Sequence, residues 1–113
     1  MSKNKEIIES LNWRYATKKF DATKKICQED LDTLKESLRL TPSSYGLQPW
    51  KFLIIENKEL RSKLREHSWG QAQVTDASHL FVLCTYTDTT DDFIDAHIRN
   101  TAEIRNIDAA TLQ

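Results

Sequence analysis

The chain has 113 residues, of which 39% are hydrophobic and 29% are charged, and its formal net charge is -1. This length suits one small domain, and three tryptophans, four phenylalanines and three tyrosines argue against wholesale disorder. No stretch approaches the roughly 20 apolar residues of a membrane span, and residues 1–6 are followed by no apolar leader segment. The balanced charge also lacks the basic surface typical of nucleic-acid binding. We therefore expect a cytoplasmic protein that binds neither nucleic acid nor a membrane.

Cysteine and glycine usage excludes two further kinds of site. Cys27 and Cys84 form no CxxC pair, so we expect reduced structural thiols rather than metal-binding or redox-active ones. Gly46 and Gly70 are the only glycines in the sequence. Two isolated glycines cannot build a phosphate loop of the GxGxxG or GxxxxGK type.

The histidines do not indicate a metal or hydrolytic site. His67, His79 and His97 lack a metal-ligand spacing, and His97 falls on the apolar face of a predicted helix, where a core histidine is common. Neither a GxSxG motif nor a cysteine with a nearby histidine is present, so covalent catalysis has no candidate nucleophile. We predict no metal site.

Apolar spacing predicts four helices and two strands. Each helix repeats its apolar residues at intervals of three and four, whereas each strand is a short continuous apolar run. The predicted elements, in chain order, are a helix from Ser2 to Asn12, a helix from Cys27 to Leu40, a strand from Trp50 to Ile55, a helix capped by Asn57, a strand from His79 to Tyr86 and a helix capped by Thr89 or Thr90.

Two features of this pattern are unusual for a small domain. The second strand has the apolar centre Leu80 to Leu83, which predicts cover on both faces, yet two strands are fewer than the four to six of a typical sheet. The residues from Asp108 onward resemble the cap and first turn of another helix, and the sequence stops after about one turn. We therefore expect a chain that is truncated at its C-terminus.

The first candidate site is the segment from Trp13 to Phe20. Arg14, Lys18 and Lys19 surround the hydroxyl of Thr17 there, and such fixed donors suit a phosphate or a dianionic cofactor. A solvated basic turn explains the same residues and, for this segment alone, is the more common outcome.

Two further candidate sites are loops. Residues 42–50 (PSSYGLQPW) join a helix to a strand, and Gly46 leaves room there for a ligand to approach the backbone. In residues 69–79 (WGQAQVTDASH), Gln71 and Gln73 offer both donors and acceptors to a polar heterocycle. For the first loop alone, a structural turn with two prolines is the more common outcome. In the second loop, Asp76 and Ser78 are expected to tie down the backbone before the strand, whatever the glutamines do.

The three segments together resemble the nitroreductase family of FMN-dependent NAD(P)H oxidoreductases, which includes nitroreductases and dihydropteridine reductase-like enzymes. The matching residues, in this order, are 14–21 (RYATKKFD), 41–50 (TPSSYGLQPW) and 71–79 (QAQVTDASH). The resemblance covers nearly the whole chain. It implies an α+β, nitroreductase-like fold, with residues 1–113 as the N-terminal half, containing about four helices and two central strands, of a single domain.

The resemblance also implies a flavin site in a homodimer. Arg14 and its neighbours would hold the FMN phosphate, Lys18 would lie near the pyrimidine edge of the flavin, and hydride would pass from NAD(P)H through the flavin to a nitroaromatic, quinone, pteridine or similar acceptor. Ser43 and Ser44 would contact the cofactor of the partner subunit. The implied cofactor-binding residues are Arg14, Tyr15, Lys18, Ser43, Ser44, Gln71 and Gln73.

The sequence departs from the family pattern at two positions and in length. Ala16 stands where several relatives have a phosphate-binding serine, and Gly70 stands where some have an asparagine that bonds the flavin. Family members are nearly twice as long, and the half absent here carries further strands and a second phosphate clamp. The unfinished last helix and the two-stranded sheet with its open edges motivate the alternative, which is a non-catalytic fragment or small interaction module that cannot hold FMN by itself.

Overall fold

The structure is a computed structural model and describes residues 2–112. Helices and strands both occur, which confirms the predicted α+β class. The elements, in chain order, are α1 (Lys3–Trp13), α2 (Gln28–Arg39), β1 (Trp50–Ile55), α3 (Lys58–Glu66), α4 (Gln73–Asp76), β2 (Leu80–Thr85) and α5 (Asp91–Arg105), with short 3₁₀ turns at Ser44–Gly46 and Ala109–Leu112.

The chain divides into two compact units. One comprises residues 2–25 and Ile55–Leu80 and contains α1, α3 and α4. The other comprises Ile26–Ile54 and residues 81–112 and contains α2, α5 and nearly all of both strands.

The two strands pair with each other in a two-stranded sheet. The N–H of Tyr86, just after β2, donates to the carbonyl oxygen of Pro49, just before β1, over 3.0 Å. The beginning of β1 therefore lies beside the end of β2, which is the arrangement of an antiparallel pair.

Side-chain caps begin three of the helices at predicted positions. Ser2 Oγ accepts from the N–H of Lys5 over 3.4 Å at α1, and Asn57 Oδ1 accepts from the N–H of Leu60 over 2.8 Å at α3. Cys27 is the N-cap of α2 but makes no side-chain cap hydrogen bond. Each polar cap satisfies a backbone donor that the helix itself leaves unpaired.

The cap of α5 gives a direct stability prediction. Thr90 Oγ1 accepts from the N–H of Phe93 over 3.2 Å. We expect Thr90→Ala to lower the free energy of unfolding by about 1 kcal/mol, measured by urea denaturation, because this donor loses its partner. Thr89→Ala is the matched control and should change stability by less than about 0.5 kcal/mol. Equal effects of the two substitutions would contradict the capping role.

The segment after α5 is shorter and tighter than predicted. Asn106 ends α5 in the left-handed conformation, and its N–H donates back to the last turn of the helix. The sequence predicts the first turn of an α-helix from Asp108, whereas Ala109–Leu112 is a 3₁₀ turn in which Asp108 Oδ1 accepts from the N–H of Ala110 over 3.0 Å. The final residue of that predicted turn, at position 113, lies outside the described residues.

Few apolar residues are buried in the described part of the chain. Leu31 and Ala102 are the buried hydrophobic residues among residues 2–112. The predicted apolar face of α1 forms, but Ile7, Ile8 and Leu11 are each between 57% and 58% exposed. The amphipathic pattern is therefore real, and residues 2–112 provide no surface that covers it.

The expectation that β2 is covered on both faces is wrong for the described residues. None of its residues is buried, and Leu83 is 66% exposed. A sheet of two strands is narrower than a typical sheet, and residues 2–112 leave this leucine largely uncovered. No helix among residues 2–112 combines the length and the apolar character needed to cross a membrane.

Candidate functional site

The segment that follows α1 carries cations with no protein partner. Arg14 lies directly after α1, and its backbone N–H donates to the carbonyl oxygen of Ser10 over 3.1 Å. Within residues 2–112, the side chains of Arg14, Lys18 and Lys19 are exposed and make no hydrogen bond or ion pair. Nearby, Tyr15 is 72% exposed. This segment therefore presents charged donors that remain available to an external anion.

The same segment ends in a turn that is stabilised by a carboxylate. Asp21 Oδ1 accepts from the N–H of Thr23 over 3.0 Å and from its hydroxyl over 2.6 Å. The hydroxyl and then the N–H of Thr23 hold the pKa of Asp21 below its usual range. Asp21 also lies 3.8 Å from the ammonium group of Lys24, so this cation, unlike Arg14, has an acidic neighbour.

This turn gives a prediction for pH dependence. We expect Thr23→Val to raise the pKa of Asp21 towards its usual range, because the hydroxyl donor is lost while the N–H of residue 23 remains. The lowered native pKa means that the stabilisation by Asp21 is present above the unfolded-state pKa and is lost as pH falls through the native pKa. NMR titration of the Asp21 carboxyl measures the change. Thr17→Val should leave that titration unchanged, and an unaltered titration in Thr23→Val would contradict the assignment.

The loop before β1 holds two of the predicted site residues. Ser43 is half-buried, and its Oγ accepts from the N–H of Gln48 over 2.9 Å. The side-chain amide of Gln48 donates in turn to the carbonyl oxygen of Arg39 over 3.3 Å. Ser44 is exposed. The loop is thus fixed from within, and the hydroxyl of Ser43 still has its proton to donate to a ligand.

Both glycines follow an exposed aromatic residue in the left-handed backbone region. Tyr45 has φ 54° and is 93% exposed, and Gly46 has φ 65°. Trp69 has φ 55° and is 95% exposed, and Gly70 has φ 65°. This conformation costs roughly 1–2 kcal/mol for a residue with a Cβ atom. Both candidate loops therefore contain a strained turn that presents an aromatic ring to solvent.

A cavity of about 620 Å³ adjoins the first of these loops. Tyr45 and Leu47 line one part of it, and Ile94, His97 and Ile98 on α5 line another. Its walls are mainly apolar, and its volume is in the range of small-molecule sites. The spacing of Ile94, His97 and Ile98 in the sequence predicts that they share one face of a helix. It does not predict that the loop with Tyr45 and Leu47 lies opposite that face.

The predicted glutamine residues lie in residues 70–78, which we call the glutamine segment. Gln71 is exposed, and its side-chain amide donates to the carbonyl oxygen of Ser68 over 3.2 Å. Gln73 is half-buried and begins the short helix α4, where the sequence predicts an irregular loop. A helix of four residues is too short to produce a recognisable apolar period.

Two arginines of α3 bind the glutamine segment, and sequence reasoning missed both. Arg61 is only 4% exposed and donates from Nε to the carbonyl oxygen of Val74 over 2.8 Å. Its two other nitrogens donate to the carbonyl oxygens of Ala77 and Ser78. The only signal in the sequence is the spacing of four between Arg61 and Arg65, which places them on one face of a helix.

Arg65 makes the second connection. Its Nε donates to the carbonyl oxygen of Gly70 over 2.9 Å, and its Nη1 donates to the hydroxyl of Thr75 over 3.2 Å. The sequence predicts that Asp76 and Ser78 tie down this loop. In the structure the carboxylate of Asp76 accepts from the hydroxyl of Thr75 over 3.1 Å and thus bonds a side chain. Arg61 and Arg65 bond the backbone of the loop.

Both ring nitrogens of His79 contact neighbouring side chains, which is typical of a structural histidine. Its ring Nδ1 lies 2.8 Å from the hydroxyl of Ser78, its Nε2 lies 3.2 Å from Glu56 Oε1, and its side chain is 6% exposed. Glu56 also pairs with Lys25 over 3.2 Å. Across residues 2–112, no group of three or more His, Cys, Asp or Glu side chains is arranged to hold a metal ion.

A family model described as the nitroreductase family matches residues 11–110. The chain belongs to the nitroreductase family. The matched range contains every cofactor-binding residue that the sequence resemblance implies. Family membership thus confirms the resemblance, while the roles of the individual residues remain predictions.

Curated relatives of this nitroreductase-family chain are much longer than it is. A protein of Staphylococcus saprophyticus named "Putative NAD(P)H nitroreductase" is 45% identical over 97 residues, which are 83% of this chain and 44% of the relative. A protein of Staphylococcus epidermidis with the same name is 56% identical over 81 residues, which are 71% of this chain and 36% of the relative. The chain therefore spans less than half the length of these relatives.

A solved structure shows the same fold. A protein of Exiguobacterium sibiricum, described as a "putative nitroreductase in complex with FMN", matches with a TM-score of 0.72 and 24% identity. The match covers 93% of this chain and 50% of the other. The nitroreductase-like fold is thereby confirmed over the part of the family domain that this chain represents.

The predicted site residues of this nitroreductase-family chain are divided between its two units. The first unit contains Arg14, Tyr15 and Lys18 on one segment and the two glutamines on another. The second unit contains Ser43 and Ser44.

Proposed function

We propose that the chain is the N-terminal part of a single-domain FMN-dependent oxidoreductase. When bound, FMN would supply a two-electron carrier that connects NAD(P)H to a nitroaromatic, quinone, pteridine or similar acceptor. Family membership supports this proposal, as do relatives named for NAD(P)H nitroreductase and a fold neighbour described with FMN. The observation that carries it is the group of unpartnered cations at Arg14, Lys18 and Lys19.

The side chains of the first segment fit a phosphate and a flavin edge. Arg14 would bind the FMN phosphate through two of its N–H groups, and the exposed Tyr15 would contact the cofactor beside it. Lys18 would place its ammonium group near the pyrimidine edge of the flavin. A cation at that edge would stabilise the negative charge that the flavin gains there on reduction. None of these side chains must break an internal ion pair before it binds.

The remaining predicted residues fit neutral parts of the same cofactor. Ser43 retains a hydroxyl proton, and the exposed Ser44 offers a second hydroxyl. Gln71 and Gln73 would supply amide donors and acceptors to the flavin or the nicotinamide. We further infer a cytoplasmic homodimer in which Ser43 and Ser44 serve the cofactor of the other subunit.

Flavin retention and turnover test this proposal together. The purified chain is incubated with FMN, desalted, and assayed for NAD(P)H oxidation with a quinone or a nitroaromatic acceptor. We expect about one retained FMN per chain, a visible flavin spectrum, and oxidation that depends on both flavin and acceptor. Loss of all flavin on desalting, with no NAD(P)H oxidation, would overturn the proposed function for this chain.

A second candidate function is a non-catalytic fragment or small interaction module. The exposed apolar face of α1 and the partial coverage of the relatives favour it, because residues 2–112 leave that face uncovered and the chain spans less than half the length of those relatives. This candidate predicts a folded chain, recognisable by circular dichroism, that releases FMN on desalting. Stoichiometric flavin with turnover would eliminate it.

A further inference from the structure

Arg61 occupies an unusual position for a charged residue. It is buried, with 4% exposure, although its side chain carries a full positive charge. Its guanidinium donates from Nε, Nη1 and Nη2 to the carbonyl oxygens of three different residues of the glutamine segment. Removing a guanidinium from water is costly, and this cost is recovered only when its donors are satisfied.

The three acceptors explain why the residue is arginine. They are the carbonyl groups of Val74, Ala77 and Ser78, which lie in and just after α4. A planar guanidinium reaches several acceptors at once in a fixed geometry, whereas the ammonium group of lysine is a compact point charge on a flexible stem. The arrangement therefore selects one conformation of this backbone.

Arg65 binds the other end of the same segment. One turn of α3 further on, it donates to the carbonyl oxygen of Gly70 and to the hydroxyl of Thr75. Gly70 directly precedes Gln71, and Thr75 follows Gln73 by two residues. The two arginines together hold the segment on both sides of the two glutamines.

We propose that Arg61 and Arg65 are positioning residues that preorganise the glutamine segment for ligand binding. Gln71 is exposed and lies next to the strained turn at Trp69 and Gly70, so the segment would be free to take other conformations without these bonds. Holding it in advance removes an entropy cost that binding would otherwise incur. The link to FMN rests on the proposed function, whereas the preorganisation itself does not.

Amide hydrogen exchange on the ligand-free chain tests the preorganisation. We expect Arg61→Lys and Arg65→Gln to increase exchange of the protected amides in residues 74–77 at least about tenfold, and to increase exchange of the amides of α2 and α5 by a smaller factor. Lys63→Gln is the matched control on α3, since the exposed Lys63 pairs only with Glu59 over 3.0 Å. It should change none of these rates.

Either of two exchange results would overturn the proposal. One is unchanged exchange in residues 74–77 for both arginine variants. The other is an equal increase over α2 and α5, because Arg61 and Arg65 would then support the whole fold rather than position one segment. Arg65→Gln keeps the test decisive if Arg61→Lys does not fold, since Arg65 is only half-buried.

Calorimetry with FMN tests the link to the ligand. We expect Arg65→Gln to bind FMN about tenfold more weakly, with the loss in the binding entropy rather than in the enthalpy, because the segment must then be ordered on binding. Unchanged affinity, or a loss that is wholly enthalpic, would overturn the positioning role towards FMN. If the unaltered chain binds no FMN, the proposed function fails, while hydrogen exchange still decides the preorganisation.

Discussion

Replacing Arg61 with methionine should lower the free energy of unfolding by about 3 kcal/mol. Methionine follows the aliphatic stem of arginine as far as about Nε, so the substitution keeps the packing of the stem but leaves the space of the guanidinium empty and provides no donor. The carbonyl groups of Val74, Ala77 and Ser78 then lose their partner. A buried acceptor without a partner costs about 1–3 kcal/mol, and partial access of water to some of the three limits the sum.

Urea denaturation followed by far-UV circular dichroism measures this change. Lys63→Met is the matched control, because it places the same side chain on the same helix at an exposed position. The control should change stability by less than about 0.5 kcal/mol. A similarly small effect of Arg61→Met would show that its hydrogen bonds contribute little, and it would contradict the structural role of Arg61.

Replacing Arg14 with alanine should weaken FMN binding by about 10- to 100-fold. A hydrogen bond to a charged group contributes about 1.5–3 kcal/mol, and 1.4 kcal/mol corresponds to a factor of ten in affinity. Arg14 makes no ion pair within residues 2–112, so its side chain is free to bind phosphate. The substitution should leave the helical content unchanged, since α1 is ended by the backbone of residue 14 and not by its side chain.

Fluorescence quenching of FMN, titrated with protein, gives these affinities. Lys3→Ala is the matched control, because Lys3 is an exposed cation on α1 outside the three motif segments. It removes one positive charge and should change the affinity less than about twofold at physiological salt, where exposed charges are screened. Equal losses in the two variants would indicate a general charge effect and would remove Arg14 from the predicted site.

Local chemistry in the sequence predicts most of the secondary structure. The strand from Trp50 to Ile55 forms with the predicted bounds, and Ser2, Asn57 and Thr90 cap their helices as predicted. These features depend on residues within one turn or one apolar run. Such short-range signals can be read without knowing the rest of the fold.

Longer-range features could not be predicted in this way. The hydrogen bonds of Arg61 reach residues that are 13 to 17 positions further along the chain. Their acceptors are backbone carbonyl groups, which every residue has, so the types of residue in the sequence do not predict these bonds. Helical periodicity favours Leu60 and Leu64 as the packed residues of α3, yet Leu60 is 45% exposed while Arg61 is buried. Periodicity identifies an apolar face but does not identify the surface that covers it, as the exposed Leu83 on β2 also shows.

For the candidate site too, the sequence predicts some features and not others. The motifs containing Arg14, Ser43 and Gln71 led to the family, and the family model confirms that assignment. The sequence could not reveal that Ser43 is engaged by the N–H of Gln48, or that Arg14 and Lys18 lack internal partners. These are properties of the folded backbone and of side-chain positions, and they distinguish available donors from occupied ones.

Direct titration of the 113-residue chain with FMN tests most directly whether it carries a flavin site. We expect saturable quenching of flavin fluorescence with about one FMN bound per chain, and weaker binding at higher salt because Arg14 would bind a charged phosphate. Fluorescence that does not change at any protein concentration, while circular dichroism shows a folded chain, would contradict this.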